Sequence, residues 1–400
     1  MLAESGAIRA MLSLPESRAG VPMTTLPRVS SNPKLRTLFR GCLLGGAVGD
    51  ALGAPIESLH LEEIERIYGK EGIRDYATAY GKIGAITDDT QMTLFTAEGM
   101  LSARITYAHT GHDPDFFRAA STSYLRWLAT QENAGRPDVS RDKPSWLLQQ
   151  RKLFSRRAPG TTCLSALQSL RGRNSRAAND SKGCGGVMRS APIGLYFAHE
   201  LIRGRDRTQI ISQIFNTATD LASITHGHPT GCLPAGVFAV IIALLVSENS
   251  LPDSVKAAKE ELKQHPSHKE TLTAIERAEK LAHARPREQS ALREMGKGLV
   301  ADEALAISLY CALTAEEFSD ALLLAVNHSG DSDSTGSMTG NMLGAIRGEE
   351  AIPRKWLAPL ELKEIIEGVA DDLGAYPEWK ILDRAAAQEL DFYSKRYPPL

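Results

Sequence analysis

The chain has 400 residues, of which 42% are hydrophobic and 24% charged, and its formal net charge is -2. This is the composition of an ordinary globular protein with ample material for a large core. The near-neutral balance excludes a general nucleic-acid-binding surface, which requires a strong basic excess.

The cysteine content and the apolar runs indicate a reduced, cytoplasmic protein. The five cysteines are odd in number and no two have CxxC spacing, which is unlike a disulfide framework or a structural zinc site. The N-terminus lacks the basic and apolar regions of a signal peptide. The longest apolar run, Ala235 to Val246, is too short to span a bilayer and predicts a buried helix, so we expect no membrane contact.

Residues 1–35 predict a flexible N-terminal extension. Four prolines, at positions 15, 22, 27 and 33, interrupt a segment rich in Ser, Thr, Arg and Gly. Its arginines, Arg9, Arg18 and Arg28, allow a second hypothesis considered below.

The segment from residue 36 to residue 376 predicts one all-α domain. In the stretch 37–53, glycines recur every four residues at Gly45, Gly49 and Gly53. This spacing places them on one helical face, where a second backbone can approach closely. Period-two alternation is weak throughout, so few strands are expected.

Further helices follow along the chain. Amphipathic patterns predict helices over 92–103 and 114–130, followed by a polar loop over 132–144. Residues 249–294 are strongly charged and contain two helical runs separated by Pro266, which predicts a peripheral charged helical hairpin. Residues 377–400 predict a last helix or tail packed on the surface.

Two acidic clusters, about 240 residues apart, carry the strongest chemical signal: TDDTQ at 87–91 and GDSDSTG at 330–336. Four converging carboxylates would repel one another unless cations neutralised them. Hard oxygen ligands of this kind suit Mg²⁺ or Mn²⁺.

Each cluster also has a purely structural interpretation. Asp88 with Gln91 resembles a helix N-cap with its capping-box partner, and Asp331 and Asp333 are compatible with an Asx-turn. A calcium loop is excluded because its twelfth position, counted from Asp331, is Met342 instead of glutamate.

Three more motifs are candidates for the site. Glu57 follows a helix end and a Gly-x-Pro turn, GAP, at 53–55. The glycine-rich turn GCGGVMR at 183–189 exposes backbone N–H groups suited to phosphates, although this motif alone favours a tight helix–helix turn. The paired histidines His226 and His228 suit metal or phosphate binding, or a cap or core position.

Taken in order, these blocks resemble the ADP-ribosylglycohydrolase family, which includes dinitrogenase reductase-activating glycohydrolases and ADP-ribosylarginine hydrolases. The similar blocks span residues 37 to 375 and read GCLLGGAVGDALGAPIE, ITDDTQMTLFTAEGML, SKGCGGVMRSAPIGL, THGHP, GKGLVADEALAISLYCAL and NHSGDSDSTGSMTGNMLGAIRG. No single block is decisive, but the combination is highly specific.

The resemblance implies a single compact all-α domain with a cleft that holds two Mg²⁺ ions, or Mn²⁺ in some members. It implies metal ligands at Thr87, Asp88, Asp89, Asp331, Asp333 and Ser334. It implies catalytic roles for Asp331 or Asp333 as base and for Glu57 as gate or proton shuttle. It implies substrate contacts at Gly185, Gly186, Arg189 and His226.

Two positions depart from the family pattern. Cys184 stands where many members have Asn, which puts a polar contact there in doubt. Leu299 replaces a common Trp, which we interpret as a packing change.

The implied activity is hydrolysis of the bond between ADP-ribose and a modified target. ADP-ribosylarginine on a protein is the first expectation, and serine-linked, nucleobase-linked and free ADP-ribosyl substrates remain open. An alternative is an immunity protein that occludes an ADP-ribosyltransferase toxin with its N-terminal extension, with or without hydrolase activity.

Overall fold

The computed structural model describes residues 28–132 and 144–400, and within these ranges the protein is all-helical. The described residues form seventeen α-helices and no strand; two isolated bridges, Ala79–Lys82 and Gly183–Val300, are the only extended pairings among them. The all-α prediction is therefore confirmed. The helices are α1 Pro33–Gly53, α2 Leu61–Tyr68, α3 Asp88–Thr110, α4 Phe116–Glu132, α5 Thr161–Gln168, α6 Ala191–Ile202, α7 Arg207–Ala222, α8 Pro229–Val246, α9 Leu251–Leu262, α10 Lys269–Ala284, α11 Gln289–Leu292, α12 Ala301–Leu313, α13 Phe318–Val326, α14 Ser332–Arg347, α15 Arg354–Leu357, α16 Lys363–Ala375 and α17 Ala387–Arg396.

Helices α1 and α14 form the centre of the fold and touch backbone to backbone. A Cβ atom added to Gly49 would lie 2.0 Å from the carbonyl oxygen of Gly336, and one added to Gly45 would lie 2.4 Å from that of Gly340. Only glycine permits this approach. The predicted close packing of the glycine face is confirmed, and its partner is the helix that begins with the second acidic cluster.

Helix α8 runs through the core. It begins at Pro229, six residues before the predicted start, with Pro at its first position and the His228 side chain accepting a hydrogen bond from the Thr230 N–H at 3.0 Å. At 18 residues and a mean hydropathy of 2.2, α8 is long and apolar enough to cross a bilayer. The prediction that this helix is too short to span one was therefore wrong. However, 94% of it is buried inside the protein, as in the core helix of a globular protein.

The charged segment 249–294 contains α9 and α10, joined by a short turn. Each helix buries one apolar stripe, with Val255, Ala258 and Leu262 on α9 and Ile275 and Ala278 on α10. The charged side chains occupy the opposite faces, and one pair, Lys259 and Glu279, links the two helices. The apolar stripe of α10 packs against α12.

Both ends of the described chain pack together. The Arg28 guanidinium donates to both carboxylate oxygens of Glu389 on α17, at 2.7 and 3.0 Å. On the same helix, Arg396 pairs with the buried Asp372. The rest of the predicted extension, including Arg9 and Arg18, lies outside the described residues, as does most of the predicted polar loop 132–144.

Candidate metal centre and substrate cleft

Three carboxylates from two separate parts of the chain converge at one point. Glu57, Asp331 and Asp333 each offer an oxygen atom, and these atoms lie within 4.8 Å of one another. Asp88 and Asp89 line the same cleft. The two acidic clusters predicted to converge therefore line one cleft, at the starts of α3 and α14.

The cluster is electrostatically costly without cations. Burial, followed by repulsion from Asp333, raises the pKa of Asp331, Asp88 and Asp89 well above the usual range of an aspartate. Like charges packed this closely in a buried site cannot all ionise unless a positive charge compensates them.

The N-terminus of α3 presents the first two aspartates. Thr87 is the N-cap, and its side chain accepts a hydrogen bond from the Asp89 N–H at 3.3 Å. The interpretation of Asp88 as the cap was wrong by one residue: Asp88 is the first helical residue. The Asp88 carboxylate does not cap the helix and instead accepts a hydrogen bond from the Gly160 N–H at 3.3 Å.

The N-terminus of α14 presents the second pair. Asp331 occupies the N-cap position, yet its side chain makes no capping bond in the described structure and accepts from the Cys184 thiol at 2.8 Å. Asp333 lies in the first turn, and one of its oxygens accepts from the Ser334 N–H at 3.0 Å. The Ser334 hydroxyl lines the cleft.

Glu57 reaches the cluster from the corner after α1. The backbone N–H of Ser58 donates to the carbonyl of Gly330 at 2.9 Å, which ties this corner to the residue before Asp331. Glu57 is only partly buried, unlike Asp331 and Asp333. Burial and repulsion from Asp333 raise its pKa to about 8. It is therefore the carboxyl of the cluster with the best access to solvent.

The donor set fits hard divalent cations. All the converging atoms are carboxylate or hydroxyl oxygens, the ligands that Mg²⁺ and Mn²⁺ prefer. One oxygen of Asp89, Oδ1, is buried and has no hydrogen-bond partner in the described structure. A buried carboxylate oxygen without a partner is unfavourable unless a ligand or ion satisfies it.

Beside the carboxylates, the cleft is lined by the glycine turn and by side chains that include Cys163, Cys184 and His226. A Cβ atom on Gly185 would lie 2.7 Å from the Cys163 sulfur and 3.2 Å from Cε1 of His226. The Nδ1 atom of His226 is 2.9 Å from the Thr225 hydroxyl. Burial and the nearby Arg189 lower the pKa of His226 to about 3, so its imidazole is neutral.

Three of the predicted site residues do not line the cleft but lie behind its surface: Arg189, Gly186 and Thr87. The Arg189 guanidinium is buried, donates to the Gly185 carbonyl and to the Thr225 hydroxyl, and lies 4.4 Å from the centre of the Tyr124 ring. It therefore positions the glycine turn from behind. The other predicted site residues, Glu57, Asp88, Asp89, Gly185, His226, Asp331, Asp333 and Ser334, all line the cleft.

Sequence reasoning missed Asp50. Its buried carboxylate accepts from the backbone N–H of Thr87 at 3.0 Å and from the N–H and hydroxyl of Thr90. An aspartate on the glycine face of α1 was the available signal, since a charge on a helix that packs this closely needs a polar partner.

Leu299 was misread. It is 53% exposed and lines the cleft, so it is a rim residue and its interpretation as a packing change was wrong.

Comparisons with known proteins identify the family. Residues 31–381 match the model of the ADP-ribosylglycohydrolase family. An uncharacterised protein of Archaeoglobus fulgidus is 30% identical over 84% of this chain and 95% of its own length.

Two named enzymes are more distant relatives. The ADP-ribosyl-[dinitrogen reductase] glycohydrolase of Rhodospirillum rubrum is 26% identical, over 83% of this chain and 93% of its own. The ADP-ribosylarginine hydrolase Tri1 of Serratia proteamaculans is 25% identical, over 84% of this chain and 78% of its own length.

A solved structure described as an ADP-ribosylglycohydrolase-related protein complex shares the fold. It has a TM-score of 0.59 and 23% identity, and the match covers 86% of this chain and 98% of that one. With the family model matched over most of its length, the chain belongs to the ADP-ribosylglycohydrolase family.

Proposed function

We propose that this protein is a metal-dependent hydrolase that releases ADP-ribose from arginine side chains of modified proteins. The observation that carries the proposal is the convergence of Glu57, Asp331 and Asp333 with the α3 aspartates in one cleft, which Gly185 and His226 also line. Family membership supports the hydrolase reaction. The Serratia relative is an ADP-ribosylarginine hydrolase, which supports the arginine linkage.

Two Mg²⁺ ions, or Mn²⁺, would be held by oxygen atoms of the cleft-lining residues Asp88, Asp89, Asp331, Asp333 and Ser334. We extend this set to Thr87, whose buried hydroxyl lies next to Asp88 at the start of α3. When bound, such a pair orients ribose hydroxyls and lowers the pKa of a water molecule between them. The Asp89 oxygen that lacks a partner within the described chain is the atom that most needs such an ion.

The carboxylates provide the proton transfers. Asp331 or Asp333 accepts a proton from the attacking water. The water oxygen bonds to ribose C1 as the bond from C1 to the guanidine nitrogen breaks. The bonding electron pair stays on that nitrogen, which takes up a proton, and the products are ADP-ribose and arginine. Glu57, partly exposed, exchanges protons with solvent.

The glycine turn and His226 form the wall along which we place the ADP-ribose. A Cβ atom on Gly185 would strike Cys163 or His226, so only glycine fits this position of the cleft lining. The neutral His226 offers a hydrogen bond without adding charge. Arg189 fixes the Gly185 carbonyl from behind, so its contribution is to hold the wall in place.

The acidic lining of the cleft supports a cationic leaving group. Five carboxylates, Glu57, Asp88, Asp89, Asp331 and Asp333, line the cleft. A guanidinium complements an acidic lining, and a neutral serine hydroxyl does not.

The test is ADP-ribose release from an arginine-ADP-ribosylated protein, with Mg²⁺ and with EDTA, beside a serine-linked substrate. We expect release from the arginine linkage only, abolished by EDTA. Alanine at Asp89 or Asp333 should abolish turnover, whereas alanine at Asp391, an exposed aspartate on α17, serves as the matched control. Near-normal activity of D89A or D333A would contradict the two-ion site, and release from serine alone would contradict the linkage.

A further inference from the structure

The turn at Tyr80 holds a tyrosine in an unusual backbone conformation. Ala79 and Lys82 exchange two backbone hydrogen bonds of 3.0 Å, which closes a two-residue turn. Tyr80 and Gly81 both have positive φ angles, +51° and +76°. A bulky residue rarely adopts this left-handed conformation, and such residues persist where the surrounding structure fixes them, often at functional sites.

Two cations fix the turn through a single carboxylate. The Lys82 ammonium lies 2.5 Å from Oε1 of Glu361, and Arg157 lies 3.3 Å from the same atom. The buried Arg157 guanidinium is also 4.9 Å from the centre of the Tyr80 ring. The ring is thereby stacked from one side and held at the tip of the turn.

The turn lies beside the acidic cluster, at its Glu57 end. The carbonyl of Arg157 accepts a hydrogen bond from the Asp88 N–H at 3.0 Å, which joins the residue under the ring to the start of α3. Consistent with this, burial raises the pKa of the Tyr80 phenol, and the charges of Glu57, Asp333, Asp50 and Asp88 add to the rise. Cys184 of the glycine turn contacts Asp331 directly, whereas Tyr80 is joined through Arg157 to the start of α3 at Asp88. Tyr80 and the glycine turn therefore approach the carboxylates through different residues.

The ring remains available to a ligand. Tyr80 is 42% exposed, although Arg157 covers one of its faces. Under the proposed function the ADP-ribose lies along the glycine turn with the bond to be cut over the carboxylates, and we place the leaving group on the side of Tyr80.

We propose that Tyr80 is the leaving-group contact: its open ring face receives the guanidinium of the modified arginine, with Glu57 beside it. This inference rests on the proposed function and names the residue that selects the linkage. Arg157 is a positioning residue that holds the ring in place. A planar cation stacks on an aromatic face, and a neutral serine leaving group gains nothing from this contact.

The test measures binding of agmatine, a small guanidinium compound, to protein loaded with Mg²⁺ and ADP-ribose, followed by NMR. Tyr80→Asn removes the ring but keeps a residue that tolerates the left-handed conformation. We expect agmatine to bind about 3- to 30-fold more weakly to this variant, as for the loss of one cation–π contact. Tyr80→Phe should bind agmatine like the wild type, and Ile67→Asn, at an exposed position on α2, is the matched surface control.

Two further measurements separate this role from a structural one. The affinity for ADP-ribose alone should be unchanged in Y80N, since the ring contacts the other side of the scissile bond. Arg157→Lys keeps a cation for Glu361 but loses the planar stack, so KM for the arginine-linked protein should rise while kcat is retained.

The contact is overturned if Y80N binds agmatine as well as the wild type does, if the wild type does not bind it, or if Y80N loses ADP-ribose. Failure of the proposed function looks different. In that case the wild type binds agmatine through Tyr80 and yet releases no ADP-ribose from the arginine-linked protein.

Discussion

Asp50 on α1 accepts two hydrogen bonds from Thr90 on α3, one from its hydroxyl at 2.5 Å and one from its backbone N–H at 3.1 Å. The same carboxylate accepts from the Thr87 N–H with both oxygens at 3.0 Å. Asp50 is fully buried. It therefore fixes the turn that aims Asp88 and Asp89 into the cleft, although it does not itself line the cleft.

The first prediction concerns this carboxylate. Asp50→Asn replaces one accepting oxygen with an N–H₂ group facing N–H donors, so the turn should shift. We expect Mg²⁺ affinity to fall about 10- to 100-fold, the usual cost of losing support behind metal ligands, with helical content by circular dichroism unchanged. Thr90→Val, which removes one of the bonds, should have an intermediate effect and Thr90→Ser almost none. Unchanged Mg²⁺ affinity in D50N, measured by calorimetry, would refute this role.

The second prediction concerns pH in the metal-free protein. Burial and repulsion from Asp333 raise the pKa of Asp50 to about 7 and that of Glu57 to about 8. The folded protein thus keeps protons that the unfolded chain releases near pH 4, so the free energy of unfolding should fall as pH rises from about 4 to about 8. With EDTA, Tm should decrease across this range, and Mg²⁺ should restore it most at the upper end. Glu57→Gln should show a shallower decrease, and a Tm that rises with pH in EDTA would contradict the assignment.

The third prediction concerns the contact between α1 and α14. Gly49→Ala places a methyl group 2.0 Å from the Gly336 carbonyl oxygen, so the two helices must separate. We expect a loss of about 1–3 kcal/mol or more in unfolding free energy, as for overpacked cores. We also expect a larger fractional loss of Mg²⁺ affinity, because the contact holds α14, which bears Asp333, against α1, whose Asp50 fixes the start of α3. Gly172→Ala, in an exposed loop with only the Ser175 hydroxyl nearby at 3.8 Å, is the matched control. Equal stability of the two variants in urea would refute the packing argument.

The fourth prediction concerns a buried ion pair between α3 and α4. Nη1 of Arg126 donates to Oε1 of Glu98 at 2.9 Å, and both side chains are almost completely buried. Removing one partner, in Glu98→Leu or Arg126→Met, leaves an uncompensated charge and should cost about 3–5 kcal/mol of unfolding free energy. The double variant should be markedly more stable than the sum of the single losses predicts. Additive losses in a double-mutant cycle would show that the two charges are not coupled.

The sequence allowed the architecture to be predicted because helical periodicity is local. The four-residue spacing of Gly45 and Gly49 predicted a close backbone contact, and α14 provides it. The start of α8 was missed because its first turn, PTGCLP, lacks a continuous apolar run, whereas its Pro at the first helical position was a readable signal.

The residues that line the site could be predicted, but the residues that hold them in position could not. Family resemblance gave the carboxylates that line the cleft, and it gave Arg189 without revealing that this side chain lies behind the wall. The roles of Asp50, Leu299 and Tyr80 depend on which distant segments meet: α3 for Asp50, the cleft rim for Leu299 and the 157–160 segment for Tyr80. The spacing of residues along the chain does not predict which distant segments come into contact.

The backbone contact between α1 and α14 also sets the order in which this protein can mature during synthesis. The first acidic cluster leaves the ribosome about 240 residues before the second, and the carboxylate cluster lacks Asp331 and Asp333 until α14 has emerged and packed against α1. We therefore expect the nascent protein to bind Mg²⁺ only once α14 is in place, and a chain truncated before α14 to lack this affinity.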